Sequence, residues 1–183
     1  MRDGCHYNVS AQETLLAGQL DVILFAGQDV RRGIVTTDVL DLPPYVLAPE
    51  GHEITSSKQT TLSAAARYQI ILLDKLTARP RFNALFGSEG ITPNIVAYAD
   101  STEMVRGLVG AGVGIAVLSM RPLIDRSNGD DSLCAVPPSC ELPQINLVLA
   151  RAEGRPRRLV TEFIDRLNGW AQRDETRQLI APP

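Results

Sequence analysis

The hydrophobic and polar positions of this chain form two kinds of pattern that alternate along the sequence. Short, continuous apolar runs indicate buried strands, and apolar residues at helical spacing indicate helices that cover them. The pattern predicts strands at 20–26, 34–40 (at a sheet edge), 45–48, 69–73, 95–99, 115–118, 133–136 and 145–150. It predicts helices at 11–18, 62–67, 79–89, 101–110 and 159–170. This alternation favours an α/β fold with largely parallel sheets.

Two of the predicted helices should contribute side chains to the core. In the helix at 11–18, we expect Leu15, Leu16 and Ala17 to face inward. The last helix carries an apolar stripe whose simplest interpretation is core, although part of it could serve a partner helix. That stripe comprises Leu159, Phe163, Leu167 and Trp170, with Val160 and Ile164 beside it.

Residues 101–119 carry the clearest local signal. Asp100 or Ser101 can cap a helix, and three glycines from Gly110 to Gly114 then end it and lead into a short buried strand. A dinucleotide-binding fingerprint needs the reverse order, in which glycines follow a strand and precede a helix. We therefore interpret these glycines as a structural helix stop.

Composition and charge are those of a soluble globular protein. The chain has 183 residues, of which 44% are hydrophobic and 21% charged, and its net charge is −3. This charge argues against a segment that grips nucleic acid by itself. The first residues lack the apolar stretch of a signal peptide, and no apolar run approaches the roughly 20 residues of a membrane helix. We therefore expect a cytoplasmic chain with no membrane partner.

The cysteines and histidines form no recognisable chemical set. Cys5, Cys134 and Cys140 match no zinc or Cys-x-x-Cys spacing, and free thiols are the expectation, although the last two could form a disulfide. Cys5 and His6 are adjacent but lack further ligands, and His52 lies in a turn. Because no serine lies in a nucleophile-elbow pattern and the carboxylates are scattered, we expect no catalytic residue, metal or cofactor.

Two connections divide the chain. Polar or proline-rich stretches near 49–60 and 137–144 isolate a middle segment that has its own alternation of strands and helices. We therefore expect two lobes with a cleft between them, which is where such folds bind small molecules.

The loops at the strand ends are the candidate binding residues. In the middle segment these are Leu73, Asp74, Lys75 and Thr77 after one strand, and Asp100, Ser101 and Thr102 after another; in the other lobe they are Phe25, Ala26 and Gly27. Ser101 and Thr102 lie at a helix N-terminus, which favours an anion such as a carboxylate, although simple N-capping explains them equally well. Asp100 repels an anion, and Lys75 and Arg79 could compensate for it.

Four short motifs follow one another in an order typical of one regulator family. They are residues 15–24 (Leu-Leu-Ala-Gly-Gln-Leu-Asp-Val-Ile-Leu), 45–52 (Tyr-Val-Leu-Ala-Pro-Glu-Gly-His), 90–93 (Gly-Ile-Thr-Pro) and 109–118 (Val-Gly-Ala-Gly-Val-Gly-Ile-Ala-Val-Leu). Over roughly residues 12–172 the chain resembles the C-terminal effector-binding domain of LysR-type transcriptional regulators. Glu53 stands where this family commonly has proline.

The resemblance implies a fold of two Rossmann-like lobes of the type 2 periplasmic-binding-protein class, joined by two crossover strands. Lobe I would comprise 1–53 and 141–183, and lobe II would comprise 54–140. The resemblance also implies that the first strand and helix of lobe I, and the winged helix-turn-helix domain, are missing from this sequence.

The function that the resemblance implies is regulatory. The domain would bind a small effector, such as a carboxylate or an aromatic acid, in the inter-lobe cleft and change how the separate DNA-binding domain grips DNA. The full-length protein would be a homodimer or tetramer without a cofactor. Two alternatives remain at this point: a free-standing solute-binding protein for uptake, against which the missing signal peptide speaks, and a two-lobed α/β enzyme.

Overall fold

The computed structural model describes residues 3–27, 30–75, 78–119, 121–122, 124–173 and 176, with side chains from residue 9 onward. The helices are α1 (Asp3–Leu16), α2 (Leu62–Ala65), α3 (Ala78–Ser88), α4 (Thr102–Gly110) and α5 (Arg158–Ala171), with a 3₁₀ turn at Glu53–Ser56. The strands are β1 (Ile23–Ala26), β2 (Ile34–Leu42), β3 (Tyr45–Pro49), β4 (Gln69–Leu73), β5 (Asn94–Ala99), β6 (Ala116–Leu118), β7 (Leu133–Val136) and β8 (Ile145–Ala152).

The described residues divide into two compact units. Unit 1 holds the residues up to Leu42 together with those from Ile145 onward, and unit 2 is Pro43–Gln144. The first change of unit lies before residue 53, the expected end of the first part of lobe I, because β3 pairs with β6 and β7 of the middle segment. The second change lies after residue 140.

Unit 1 is a three-stranded sheet with a helix on each face. Its strand order is β1-β8-β2, and β8 runs antiparallel to both neighbours. One face packs against α1 through Leu15, Phe25, Ile34, Val148 and Ala150. The other packs against α5 through Val39, Leu149 and Ala171, with Ile164 and Leu167 partly buried.

Unit 2 contains an antiparallel sheet, β6-β3-β7, and a parallel pair, β4-β5. The two are joined where the Ile71 N–H donates to the Ile115 carbonyl at 2.8 Å and the Ile115 N–H donates to the Gln69 carbonyl at 2.9 Å. Helix α4 buries Val105 and Val109 against β3 and β4, and α3 buries Phe82, Leu85 and Phe86 against β4.

The predicted glycine stop after α4 is confirmed. The helix ends at Gly110, and Gly112 has a φ of +74°, which favours glycine. A Cβ at position 114 would lie 2.5 Å from the Gln69 carbonyl oxygen, so the backbone can pass β4 there only without a side chain.

Three expectations about the fold were wrong. The sheets are mostly antiparallel, because β8 inserts between β1 and β2, and β3 between β6 and β7, each against the direction of its neighbours. In α1, Leu15 is buried, but Leu16 and Ala17 are exposed because the sheet contacts only one side of the helix end. Leu159, Phe163 and Trp170 of α5 are also exposed rather than core, because the sheet covers only the neighbouring strip of that helix.

Candidate functional site

The carboxyl ends of β4 and β5 bring two of the predicted loops together in unit 2. Leu73 is paired with Ala99 in the parallel register, and the Asp74 N–H donates to the Ala99 carbonyl at 2.7 Å. The structure therefore places Leu73, Asp74 and Lys75 beside the segment Asp100, Ser101 and Thr102. Thr77, the other candidate in the first loop, lies outside the described residues.

Ser101 is the N-cap of α4. Its Oγ accepts a hydrogen bond from the Met104 N–H at 3.2 Å, and its backbone is extended. The capping interpretation of Ser101 is therefore confirmed. The first N–H groups of a helix have no intrahelical acceptor, so the turn beginning at Thr102 presents backbone donors and the positive end of the helix dipole.

Charged side chains around this helix start are paired with one another. Arg79 Nε lies 3.1 Å from Asp74 Oδ1, and its guanidinium carbon lies 5.3 Å from the centre of the Tyr98 ring. Both members of the ion pair are about half exposed, so it contributes little to stability, but it orients Arg79 beside the loop after β4. An anion that approaches Arg79 would therefore meet a cation that already has a carboxylate partner.

Arg106 is a buried residue of α4 that the sequence pattern did not predict. The residue is 1% exposed, and its Nη2 donates to the carbonyls of Ile124 and Arg126 at 2.6 Å each. The side chain thereby fastens the segment after β6 to α4, whose N-terminus belongs to the candidate site. Its position between the buried Val105 and Val109 was the available signal, since it follows the buried side of the helix.

Tyr45 lies beside this arginine. Burial raises the pKa of the Tyr45 hydroxyl to about 12, and the positive charge of Arg106 opposes part of that rise. The phenol is therefore neutral at physiological pH.

The candidate residues of unit 1 lie at the carboxyl end of β1. Phe25 packs its ring into the core beside Leu15 and Ile34, and Ala26 ends the strand. The Gly27 N–H donates to the Asn146 carbonyl at 3.2 Å, and its φ is +137°. At the end of this strand, Ala26 and Gly27 present mainly backbone N–H and C=O groups, whereas the Phe25 side chain packs in the core beneath the strand.

The remaining chemical candidates have structural partners. The Nδ1 of His52 accepts a hydrogen bond from the Ile54 N–H and so caps the 3₁₀ turn. Cys134 and Cys140 are free thiols, as expected, and burial raises the pKa of Cys134. Within the described ranges, no three His, Cys, Asp or Glu side chains are placed to hold a metal ion. No described helix has the length and apolar character needed to cross a membrane.

Known proteins with similar sequences and structures are transcriptional regulators. YybE, an uncharacterized HTH-type transcriptional regulator of Bacillus subtilis (strain 168), is 31% identical over 116 residues, covering 63% of this chain and 40% of YybE. HinK, a LysR family transcriptional regulator from Pseudomonas aeruginosa, superposes with a TM-score of 0.83 at 28% identity, covering 90% of this chain and 57% of HinK. The chain thus spans less than two thirds of either regulator.

The fold also matches a known effector-binding domain. The BenM effector-binding domain, solved with its effector benzoate, superposes with a TM-score of 0.77 at 16% identity, covering 96% of this chain and 78% of that domain. The family described as the LysR substrate binding domain matches residues 7–172. The chain therefore belongs to this family: it is the effector-binding domain of a LysR-type regulator, a non-enzymatic domain of the type 2 periplasmic-binding-protein fold.

Proposed function

We propose that this domain binds a small organic anion, a carboxylate or an aromatic acid, where β4 and β5 end and α4 begins. The observation that carries the proposal is the hydrogen bond between the Asp74 N–H and the Ala99 carbonyl, which holds both loops at the start of α4. Ligands of open α/β sheets bind outside the carboxyl ends of the strands, and helix N-termini favour anions. The benzoate of BenM is an anion of this class.

The donors for such an anion are available within unit 2. The Thr102 hydroxyl and the first backbone N–H groups of α4 provide neutral donors, and Lys75 and Arg79 provide positive charge. Because Asp74 already pairs with Arg79, an anion that binds Arg79 would exchange places with the Asp74 carboxylate.

The rest of the regulator's function extends this proposal. Units 1 and 2 would act as lobes I and II of the regulator's effector-binding domain. Effector binding would change how a winged helix-turn-helix domain binds DNA. The full-length protein would be a cytoplasmic homodimer or tetramer.

The experiment is ligand titration by calorimetry and thermal shift, with benzoate and a panel of small carboxylates as probes. A ligand present at about 100 times its dissociation constant stabilises the folded protein by about 2.7 kcal/mol. We expect Thr102→Val and Arg79→Met to weaken binding at least about tenfold, since each removes a donor to a charged group worth about 1.5–3 kcal/mol.

A matched control distinguishes binding from capping. Thr61 caps α2 through its Oγ1, which accepts from the Ala64 N–H at 3.0 Å, much as Ser101 caps α4. Thr61→Ala and Ser101→Ala each remove one cap, which costs about 1 kcal/mol, but only Ser101→Ala should also reduce affinity. Binding that survives Thr102→Val, Arg79→Met and Ser101→Ala unchanged would place the effector elsewhere.

A further inference from the structure

The guanidinium of Arg106 is buried with only part of its hydrogen bonds made. The side chain is 2% exposed, and its Nη2 donates to the carbonyls of Ile124 and Arg126. In the part of the chain that the structure describes, its Nε and Nη1 are buried and have no hydrogen-bond partner. Burial of an unpaired donor is unfavourable, and more so when the group is charged. The two carbonyls therefore leave this group only partly satisfied.

The positive charge of Arg106 also lacks a buried counter-ion. The nearest carboxylate oxygen among the described residues belongs to Glu103 and lies 3.7 Å from Nε, which is longer than a hydrogen bond. The Glu103 side chain is 50% exposed, so water screens its attraction. Because the carbonyls on Nη2 carry no net charge, most of the charge of the guanidinium stays uncompensated.

The other polar neighbours do not supply the missing negative charge. Tyr45 interacts with Arg106, but burial raises the pKa of its hydroxyl to about 12, so the phenol is neutral at physiological pH. Asp125 is held by Arg121, whose Nε and Nη2 donate to its two carboxylate oxygens at 3.2 and 2.5 Å. Buried charges in proteins are normally paired, so this position favours an anion from outside the chain.

We propose that unit 2 binds a small inorganic anion, for which chloride is the probe, against the Nη1 side of the Arg106 guanidinium. Nη1 supplies N–H donors that carry positive charge, and these form the stronger class of hydrogen bond. Because the residue is 1% exposed, the position suits an ion of one or a few atoms and excludes an organic acid. The anion neutralises the guanidinium and so stabilises the attachment of residues 124–126 to α4. This site is separate from the proposed effector site and does not depend on it.

The first test is the anion dependence of stability. Urea unfolding of the 183-residue chain is measured in potassium chloride and in potassium gluconate at equal ionic strength, since gluconate is too large for the site. Chloride at about ten times its dissociation constant should raise the ratio of folded to unfolded protein about elevenfold. A series of chloride concentrations gives the dissociation constant.

Matched variants locate the effect. Arg106→Met removes the charge, so its stability should be equal in the two salts. Arg151→Met is the control, because Arg151 also donates to two carbonyls but from a partly exposed position, and this variant should keep the full chloride effect. Arg79→Met should keep it as well, since Arg79 belongs to the proposed effector site. Circular dichroism shows which variants remain folded.

Two further measurements do not require the loss of the arginine. Glu103→Gln removes the nearest carboxylate, so chloride should bind this variant at least as tightly as the unsubstituted protein. In crystals of the unsubstituted protein soaked in bromide, an anomalous difference peak should lie beside Arg106 Nη1.

Four outcomes would overturn the inference. Equal stability of the unsubstituted protein in chloride and gluconate would leave Glu103 and water as the partners of Arg106. A chloride effect that persists in Arg106→Met, or disappears in Arg79→Met, would assign the anion to another site. Loss of the chloride effect in Glu103→Gln would make that carboxylate part of the response to salt. Bromide peaks elsewhere, with none beside Nη1, would exclude the position.

Discussion

Removal of the buried guanidinium of Arg106 should destabilise the domain measurably. Arg106→Met removes the charged group and keeps most of the apolar stem in α4. The variant loses both 2.6 Å hydrogen bonds to the carbonyls of Ile124 and Arg126. The segment after β6 then loses its attachment to the helix.

The magnitude follows from two opposing terms. Hydrogen bonds that involve a charged group contribute about 1.5–3 kcal/mol each, so two of them give roughly 3–6 kcal/mol. Part of this loss is offset, because burial of the guanidinium costs desolvation free energy and its removal relieves that cost. A net loss of about 2–3 kcal/mol in the free energy of unfolding remains, which lowers Tm by roughly 5–10 °C for a protein of this size.

The assay is calorimetric or circular dichroism melting beside a matched variant. Arg151 also donates to two carbonyls, those of Ala152 and Gly154, at 3.0 and 2.9 Å, but from a partly exposed position. Arg151→Met should therefore cost less than about 1 kcal/mol. Hydrogen exchange should speed up between residues 124 and 132 in Arg106→Met alone. Equal melting temperatures for the two variants would refute the reasoning.

Two further predictions concern Tyr45 and Gly114. Because burial raises the pKa of Tyr45 to about 12, the folded state keeps a proton that the unfolded chain loses near pH 10, and stability falls as pH rises from about 10 toward 12. The free energy of unfolding of Tyr45→Phe, measured by urea titration, should fall less steeply with pH over that range. An identical pH dependence for Tyr45→Phe and the unsubstituted protein would contradict the raised pKa of Tyr45. Gly114→Ala should destabilise by about 2 kcal/mol or more, since its Cβ would meet the Gln69 carbonyl at 2.5 Å, whereas Gly107→Ala in α4 meets nothing within 4 Å and should stabilise slightly. Equal Tm changes for the two alanine variants would show that the close approach relaxes freely.

Local pattern was sufficient for the elements that are buried on both sides. β4 and β7 begin and end where the apolar runs predicted, because polar residues or proline bound them closely. Strand direction was not predictable in the same way. The insertion of β8 between β1 and β2 depends on residues more than a hundred positions apart, and no local pattern reports which strands become neighbours.

Periodicity identifies the residues that share a helix face, but it does not tell how much of that face is covered. For this reason the sequence placed Leu159 and Phe163 on one buried stripe with Leu167, although only Leu167 packs against the sheet. The burial of Arg106 was not predicted because arginine is ordinarily a surface residue. Only the carbonyls of a segment distant in sequence make its burial favourable.

In the candidate site, the proximity of the loops after β4 and β5 was predictable from the sequence, but the ion pair between Asp74 and Arg79 was not. The ends of two parallel strands share one edge of a sheet, so the loops after Leu73 and Ala99 had to be neighbours if β4 and β5 paired. Nothing in the spacing of Asp74 and Arg79 showed that they would pair, because that depends on where α3 begins and on the ring of Tyr98 beneath the guanidinium.

At the proposed site, the pairing of Asp74 with Arg79 would make the Asp74 carboxylate a competitor of the bound anion. An anion that binds Arg79 there would have to displace this carboxylate, which belongs to the same chain, so its observed affinity would be lower than the contact with Arg79 alone would provide. Ligands that also engage Lys75 or the start of α4 would recover this loss, and simple inorganic anions such as chloride would not. The consequence of this ion pair at the proposed site would be a preference for multidentate organic acids over simple inorganic anions.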